Sequence, residues 1–201
     1  FRAEWVTQFE WNIQVCKRDA QRNGILPAKT LEMKYYDKKF LCFNKVERQH
    51  RIDLFEKLLG LNLVEDSFYS FSLDSNSRNV LERSYFKYKN ILKQPLPLVL
   101  NRTEERSNPV DVRPDDLVYF DNSYFSVVTE TCFYNIYQRD PRQLYLGISE
   151  NEPGVFFSEK IWKPIALNHP FIVVGSVGFL QELRDRGYKT FSPFIDESYD
   201  S

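Results

Sequence analysis

The sequence predicts an α/β domain built on a mainly parallel sheet with helices on both faces. Three observations carry that expectation. Short apolar runs such as Phe40–Phe43 (FLCF) and Pro170–Val174 (PFIVV) have the length of strands buried on both sides, the second rich in β-branched residues. Segments with apolar residues at helical spacing alternate with them, as at Ile52, Phe55, Leu58 and Leu59. Gly60 and Gly187 close two of these helical segments in the way a left-handed residue ends a helix. Such alternation buries a parallel sheet between two helical layers.

In order, Trp5, Phe9, Ile13 and Cys16 fall near helical spacing until Asn23-Gly24 and Pro27 break the pattern. Residues 1–38 therefore read as a helical segment or linker ahead of a domain over residues 39–201. The opening at Phe1 without Met reads as a fragment or processed product. Phe40–Phe43 is the first strand, and the polar loop Asn44–Gln49 leads into a helix over His50–Leu59. Phe68–Ser72 (FYSFS) is the second strand. Leu81, Tyr85, Tyr88 and Leu92 predict one helix from about Asn79 to Lys93, its aromatics forming a core-facing stripe rather than a base-stacking surface. Gln94–Asp116, with four prolines, is a long loop. Leu117–Phe120 and Ser123–Thr129 (SYFSVVT) read as strands, the second delivering Glu130 at its end, and Asp140–Gly154 is a polar loop. Ser158 caps a helix whose first turn holds Glu159 and Lys160. Pro164 leaves two readings: a bent helix from Ser158, or a short turn over Ser158–Lys163 with Pro164 opening the main helix. Pro170–Val174, a turn at Gly175–Gly178, a helix over Phe179–Arg186 and a last strand at Tyr188–Phe191 complete the chain.

At 201 residues and 24.0 kDa the chain is long enough for one domain with a real core. Hydrophobic and charged shares of 42% and 27% are those of a soluble globular protein. A net charge of −1 and a pI near 6.2 give no global basic field for nucleic acid or anionic membrane. No apolar run approaches the roughly 18 residues of a membrane span, and no signal peptide is recognisable. Cys16, Cys42 and Cys132 are odd in number and widely spaced, so a reduced, cytoplasmic setting fits better than a disulfide framework or a metal set. No Ser-His-Asp ordering, Walker loop or GxGxxG turn is present, leaving hydrolase, triphosphatase and dehydrogenase readings without support.

In an open α/β sheet, ligands meet the carboxyl ends of the strands, which places Asn44, Lys45, Arg48, His50 and Arg51 where a phosphate is met. Arg48 or Arg51 suits a diphosphate through the bidentate guanidinium, or this stretch is a solvated basic loop. His50 reads as a helix-start residue and His169 as a turn residue. The helix start at Ser158 points unpaired backbone N–H groups outward, so an anion is favoured there, with Lys160 adding the largest single charge contact. Lys163 contributes less if the helix begins at Ser158 and more if it begins at Pro164.

The stretch SEKIWKPIALNHPFIVVG, Ser158 to Gly175, resembles fucosyltransferase and exostosin-like glycosyltransferases, in which T/S-E-K opens a helix and a P-(F/V)-(I/V)-x-x-G strand follows. Val127–Thr131 (VVTET) is similar to their strand-end F-E-N-S element, although no Asn follows Glu130. Over Phe40–Tyr199 the chain resembles the nucleotide-sugar-binding half of glycosyltransferases with two Rossmann-like domains (GT-B), and glycosyltransferase-like proteins of marine phage genomes. The resemblance implies a Rossmann-like, doubly wound donor-binding domain with a nucleotide-diphosphate sugar as donor substrate and no further cofactor or metal. It implies Lys160 and Arg48 or Arg51 on the diphosphate, Glu159 on the ribose and Glu130 as the catalytic carboxylate beside the donor sugar. The acceptor is unspecified, a second domain or subunit is an implied partner, and a phage-encoded chain would act in the host cytoplasm. The alternative is a non-catalytic Rossmann-like module serving as a structural or partner-binding component, such as part of a phage particle.

Overall fold

The computed structural model describes residues 14–18, 21–22, 24, 35–44, 46–98, 114–131, 133, 155, 157–192 and 194–201. Four parallel strands, β1 (Lys38–Phe43), β2 (Phe68–Ser70), β3 (Ser123–Thr129) and β4 (Phe171–Val174), form one sheet in the order β2-β1-β3-β4. Besides helical residues at 14–18 and 21–22, the helices among the described residues are α1 (Gln49–Gly60), α2 (Ser75–Glu82), α3 (Tyr85–Leu92), α4 (Pro114–Asp121), α5 (Glu159–Ala166) and α6 (Phe179–Asp185), followed by a short 3-10 turn at Ser198–Asp200. The expected α/β, Rossmann-like doubly wound sheet is therefore present.

Register explains the two layers. Phe40 pairs with Phe125 and Cys42 with Tyr69, so these residues share one face, where they pack with Ile52, Phe55 and Leu58 of α1 and Leu81, Tyr88 and Ile91 of α2 and α3. Val128 and its register partner Val173 point to the opposite face and pack with Ile161 of α5 and Phe179, Leu180 and Leu183 of α6. α1 and α5 therefore pack on opposite faces of the sheet. The winding reverses between β1 and β3, the place where doubly wound sheets bind ligands.

Three expected elements are corrected. Leu117–Phe120 is not a strand but the end of α4: Pro114 occupies the first helical position and Asp115 and Asp116 follow in the first turn, a helix-start pattern that overrides the short apolar run. Tyr188–Phe191 joins no ladder. Gly187 (φ 85°) turns the chain after α6, Phe191 N–H donates to the Glu197 carboxylate at 2.7 Å, and the Phe191 ring packs edge-on against Phe171. The single helix over Asn79–Lys93 is two helices broken at Ser84 (φ −120°, ψ 43°), the first starting earlier because the Asp74 carboxylate caps Ser77 N–H. A further irregularity at Tyr88 inside α3 is held by Glu56, whose carboxylate accepts from Asn90 and Ile91 N–H.

Other expectations meet their elements with small shifts. β2 ends at Ser70, and Phe71 instead makes an isolated antiparallel bridge to Leu98. α5 runs from Glu159 through Pro164, which is buried within it, so the reading with one helix from Ser158 holds. Cys16 and Cys42 are buried and in no disulfide, the Cys42 thiol pushed up to about 12 by burial. Lys45, Cys132, the Asp140–Gly154 loop and most of residues 1–38 lie outside the described residues. No helix among the described residues is long and apolar enough to cross a membrane.

Candidate functional site

The switch point between β1 and β3 gathers five polar residues, Asn44, Arg48, His50 and Arg51 from the end of β1 to the first turn of α1 and Glu130 from the end of β3, all buried except the half-buried Arg48. Asn44 is a strut. Its N–H donates to the Ser70 carbonyl at 3.0 Å, its Nδ2 to Cys42 Sγ at 3.3 Å, and its Oδ1 accepts a short bond from Thr129 Oγ1, tying the ends of three strands.

Arg51 and His50 join the same structure. Arg51 is 2% exposed, and its terminal nitrogens donate to the carbonyls of Val46 (2.7 Å), Thr129 (3.0 Å) and Glu130 (3.2 Å). His50 Nε2 donates to the Glu130 carbonyl at 2.9 Å, which fixes the tautomer, and its ring stacks on Phe133. Burial, then the neighbouring Arg51 charge, pushes the imidazole down to about 4, so it is neutral at pH 7. Burial and then Arg48 lower the Arg51 guanidinium as well.

The start of α1 is built differently. Its cap residue, Arg48, is extended (φ −145°, ψ 153°), its side chain makes no cap hydrogen bond, and no acidic residue lies in the first turn. The buried Nε atoms of Arg48 and Arg51 have no acceptor among the described residues. Two guanidinium groups and unfilled backbone donors at a helix start form a site of positive potential.

The start of α5 is filled by the chain itself. Ser158 Oγ accepts from Lys160 N–H at 3.3 Å, and Ser158 N–H donates to Glu130 Oε1 at 3.2 Å. Lys160 Nζ is paired with Glu159 Oε1 at 2.6 Å and also reaches Ser158 Oγ. Burial works to raise the Glu159 carboxyl, and the charge and hydrogen bond of Lys160 outweigh it and hold the group low. Lys163 pairs with the buried Asp116 of α4 at 3.7 Å. At α6, the Asp200 carboxylate accepts from Phe179 and Leu180 N–H at 3.0 and 2.9 Å.

Glu130 is completely buried. Its carboxyl is raised by burial, against the lowering influence of Ser158 hydrogen bonds and the Lys160 charge. The structure thus brings Arg48, Arg51, Glu130, Glu159 and Lys160 into one electrostatic neighbourhood, with Lys163 engaged on the α4 side. Sequence reasoning missed Thr129, and read Gly175 only as a turn residue. A Cβ at Gly175 would stand 3.2 Å from Val173 Cγ1 and 3.4 Å from Glu130 Cβ. The glycine that follows a PFIVV strand was the signal for such a close approach.

Elsewhere, a shallow concavity of about 470 Å³ runs between α1 and α3, lined by Asp53, Glu56, Leu61, Lys87, Tyr88 and Asn90, where Lys87 already pairs with Asp53 at 3.1 Å. No group of three or more His, Cys, Asp or Glu among the described residues is placed to hold a metal ion. Comparison of the chain with protein-family models, curated proteins and solved structures finds no match.

Proposed function

We propose that the chain binds a nucleotide-diphosphate sugar at the β1/β3 switch point and acts as a glycosyltransferase toward an acceptor supplied by a second domain or subunit. The observation that carries the reading is the open start of α1: uncapped backbone donors, Arg48 with an acceptor-free buried Nε, and Arg51 behind it, at the place where doubly wound sheets bind ligands. A diphosphate carries the charge to engage both this start and Lys160. Glu159, in the first turn of α5, is the carboxylate offered to ribose hydroxyls. The chemistry asked of these residues is positioning of the donor and stabilisation of the negative charge that builds on the departing diphosphate.

A thermal-shift series with nucleoside diphosphates, their sugar conjugates and free sugars tests the reading. A ligand at about 100 times its Kd adds ~2.7 kcal/mol to stability, so the diphosphates and conjugates should raise the melting temperature and free sugars should not. No shift with any nucleoside diphosphate at millimolar concentration ends the proposal. Binding without release of the sugar to any acceptor favours the non-catalytic alternative.

A further inference from the structure

We infer that Glu130 is a positioning residue, a latch that fixes where the start of α5 points and acts through Ser158 without touching a ligand. Both oxygens of its carboxylate are occupied by backbone donors, Oε1 by Ser158 N–H at 3.2 Å and Oε2 by Thr131 N–H at 3.1 Å. The first bond joins the end of β3 to the cap of α5, 28 positions later. The carbonyl of the same residue accepts from His50 and Arg51, so one residue ties α1, β3 and α5 together.

Gly175 holds the latch from the other side. It follows β4, and with no side chain it lets the backbone approach the Glu130 side chain; a methyl there would stand 3.4 Å from Glu130 Cβ and 3.3 Å from Phe179 Cδ2. A carboxylate matches the task because two N–H donors need two acceptor oxygens. A glutamine offers one oxygen and turns its NH2 group against the other donor. The bonds, with the Lys160 charge, offset part of the cost of burying the acid. Loss of the latch lets α5 rotate or slide, carrying Glu159 and Lys160 with it.

The affinity arm of the test rests on the proposed nucleotide-sugar reading, and the spectroscopic arm does not. Trp5, Trp11 and Trp162 are the tryptophans of the chain, so Trp5→Phe with Trp11→Phe leaves Trp162, inside α5, as the reporter. In that background, Glu130→Gln and Gly175→Ala are compared with the parent by Trp162 emission, acrylamide quenching, far-UV circular dichroism and titration with a nucleoside diphosphate. Both variants should change the Trp162 emission and quenching with helix content kept, and weaken the diphosphate by about tenfold. Gly175→Ala decides the matter should Glu130→Gln fail to fold. Trp162 signals equal to the parent in the folded variants overturn the latch, and a lost affinity beside an unchanged Trp162 means that Glu130 contacts the ligand itself. A parent that binds no nucleoside diphosphate removes the nucleotide-sugar reading, while the Trp162 comparison still decides the latch.

Discussion

Two helix starts lie beyond the carboxyl ends of the sheet and treat charge in opposite ways. At α5 the chain provides its own acceptors, with the Ser158 hydroxyl on Lys160 N–H, the Glu130 carboxylate on Ser158 N–H, and Glu159 on the Lys160 ammonium. At α1 there is no side-chain cap and no acid in the first turn, only Arg48 and Arg51. The lesson is that a well-formed capping sequence marks a helix start already satisfied from within. A start left uncapped beside arginines keeps backbone donors and positive charge that an anion would satisfy.

The sharpest way to break this contrast is at Arg51. Arg51→Ala removes donors from three carbonyls at the floor of the switch point, and stability should fall by about 3 kcal/mol or more in urea unfolding, as for other buried charge-assisted networks. Arg51→Lys should not restore it, because an ammonium lacks the planar fork that reaches carbonyls on two elements. Near-normal unfolding of either variant would mean the floor is held by something other than Arg51.

Arg48 comes next, and its readout is affinity. Arg48→Ala should weaken a nucleoside diphosphate by roughly ten- to hundredfold while leaving unfolding nearly unchanged, because it loses a charge-assisted contact and no internal hydrogen bond. Lys160→Ala should cost less than Arg48→Ala, since the Lys160 ammonium must first leave Glu159, the reverse of the ranking the S-E-K signature suggests. Calorimetric titration of the two variants settles the order, and equal or inverted losses would return the anion to the α5 start. Lys163→Ala, whose ammonium faces Asp116, should leave affinity unchanged.

The smallest expected effect is a pH slope. His50 is pushed down to about 4 by burial and Arg51, and burial also lowers His169, whose Nδ1 accepts from Ser126 Oγ while Nε2 donates to the Ser123 carbonyl. An unfolded chain takes up protons at these rings near the ordinary 6.5, and the folded chain does so only at lower pH. The His50 contribution to stability is therefore complete above about 6.5 and is lost as pH falls toward about 4, and that of His169 is likewise lost on the acid side. Glu130 has the opposite sign: its carboxyl is raised, so its contribution is present at low pH and is lost as pH rises through the folded value. His50→Gln should flatten the acid limb of a stability-against-pH curve, and an unchanged limb would place the titration elsewhere.

Much of this arrangement was legible in local pattern. The strands at Phe40–Phe43 and Ser123–Thr129, the Ser158 cap, and the helices after Asn44 and Gly178 follow from runs, periodicity and capping chemistry within about a dozen residues. The start of α4 was also local, in Pro114-Asp115-Asp116, and was masked by the apolar run behind it. Tyr188–Phe191 has the residues of a strand, yet Glu197 takes a donor that a ladder would have used.

What the sequence determined by itself is the alternation of elements, the parallel sheet it requires, and the band of polar residues that must follow β1 and β3. Only the tertiary structure decided which of those residues are spent on the fold. Arg51 and Glu130 carry full charges in sequence and are equally suited to a ligand, but their partners lie 78 and 28 positions away, at Thr129 and Ser158. Burial makes an unpaired charge costly, so whichever groups packing encloses must find acceptors or donors within the chain. Arg48, at the rim, escapes that demand for most of its guanidinium, and no pattern around position 48 distinguishes it from Arg51.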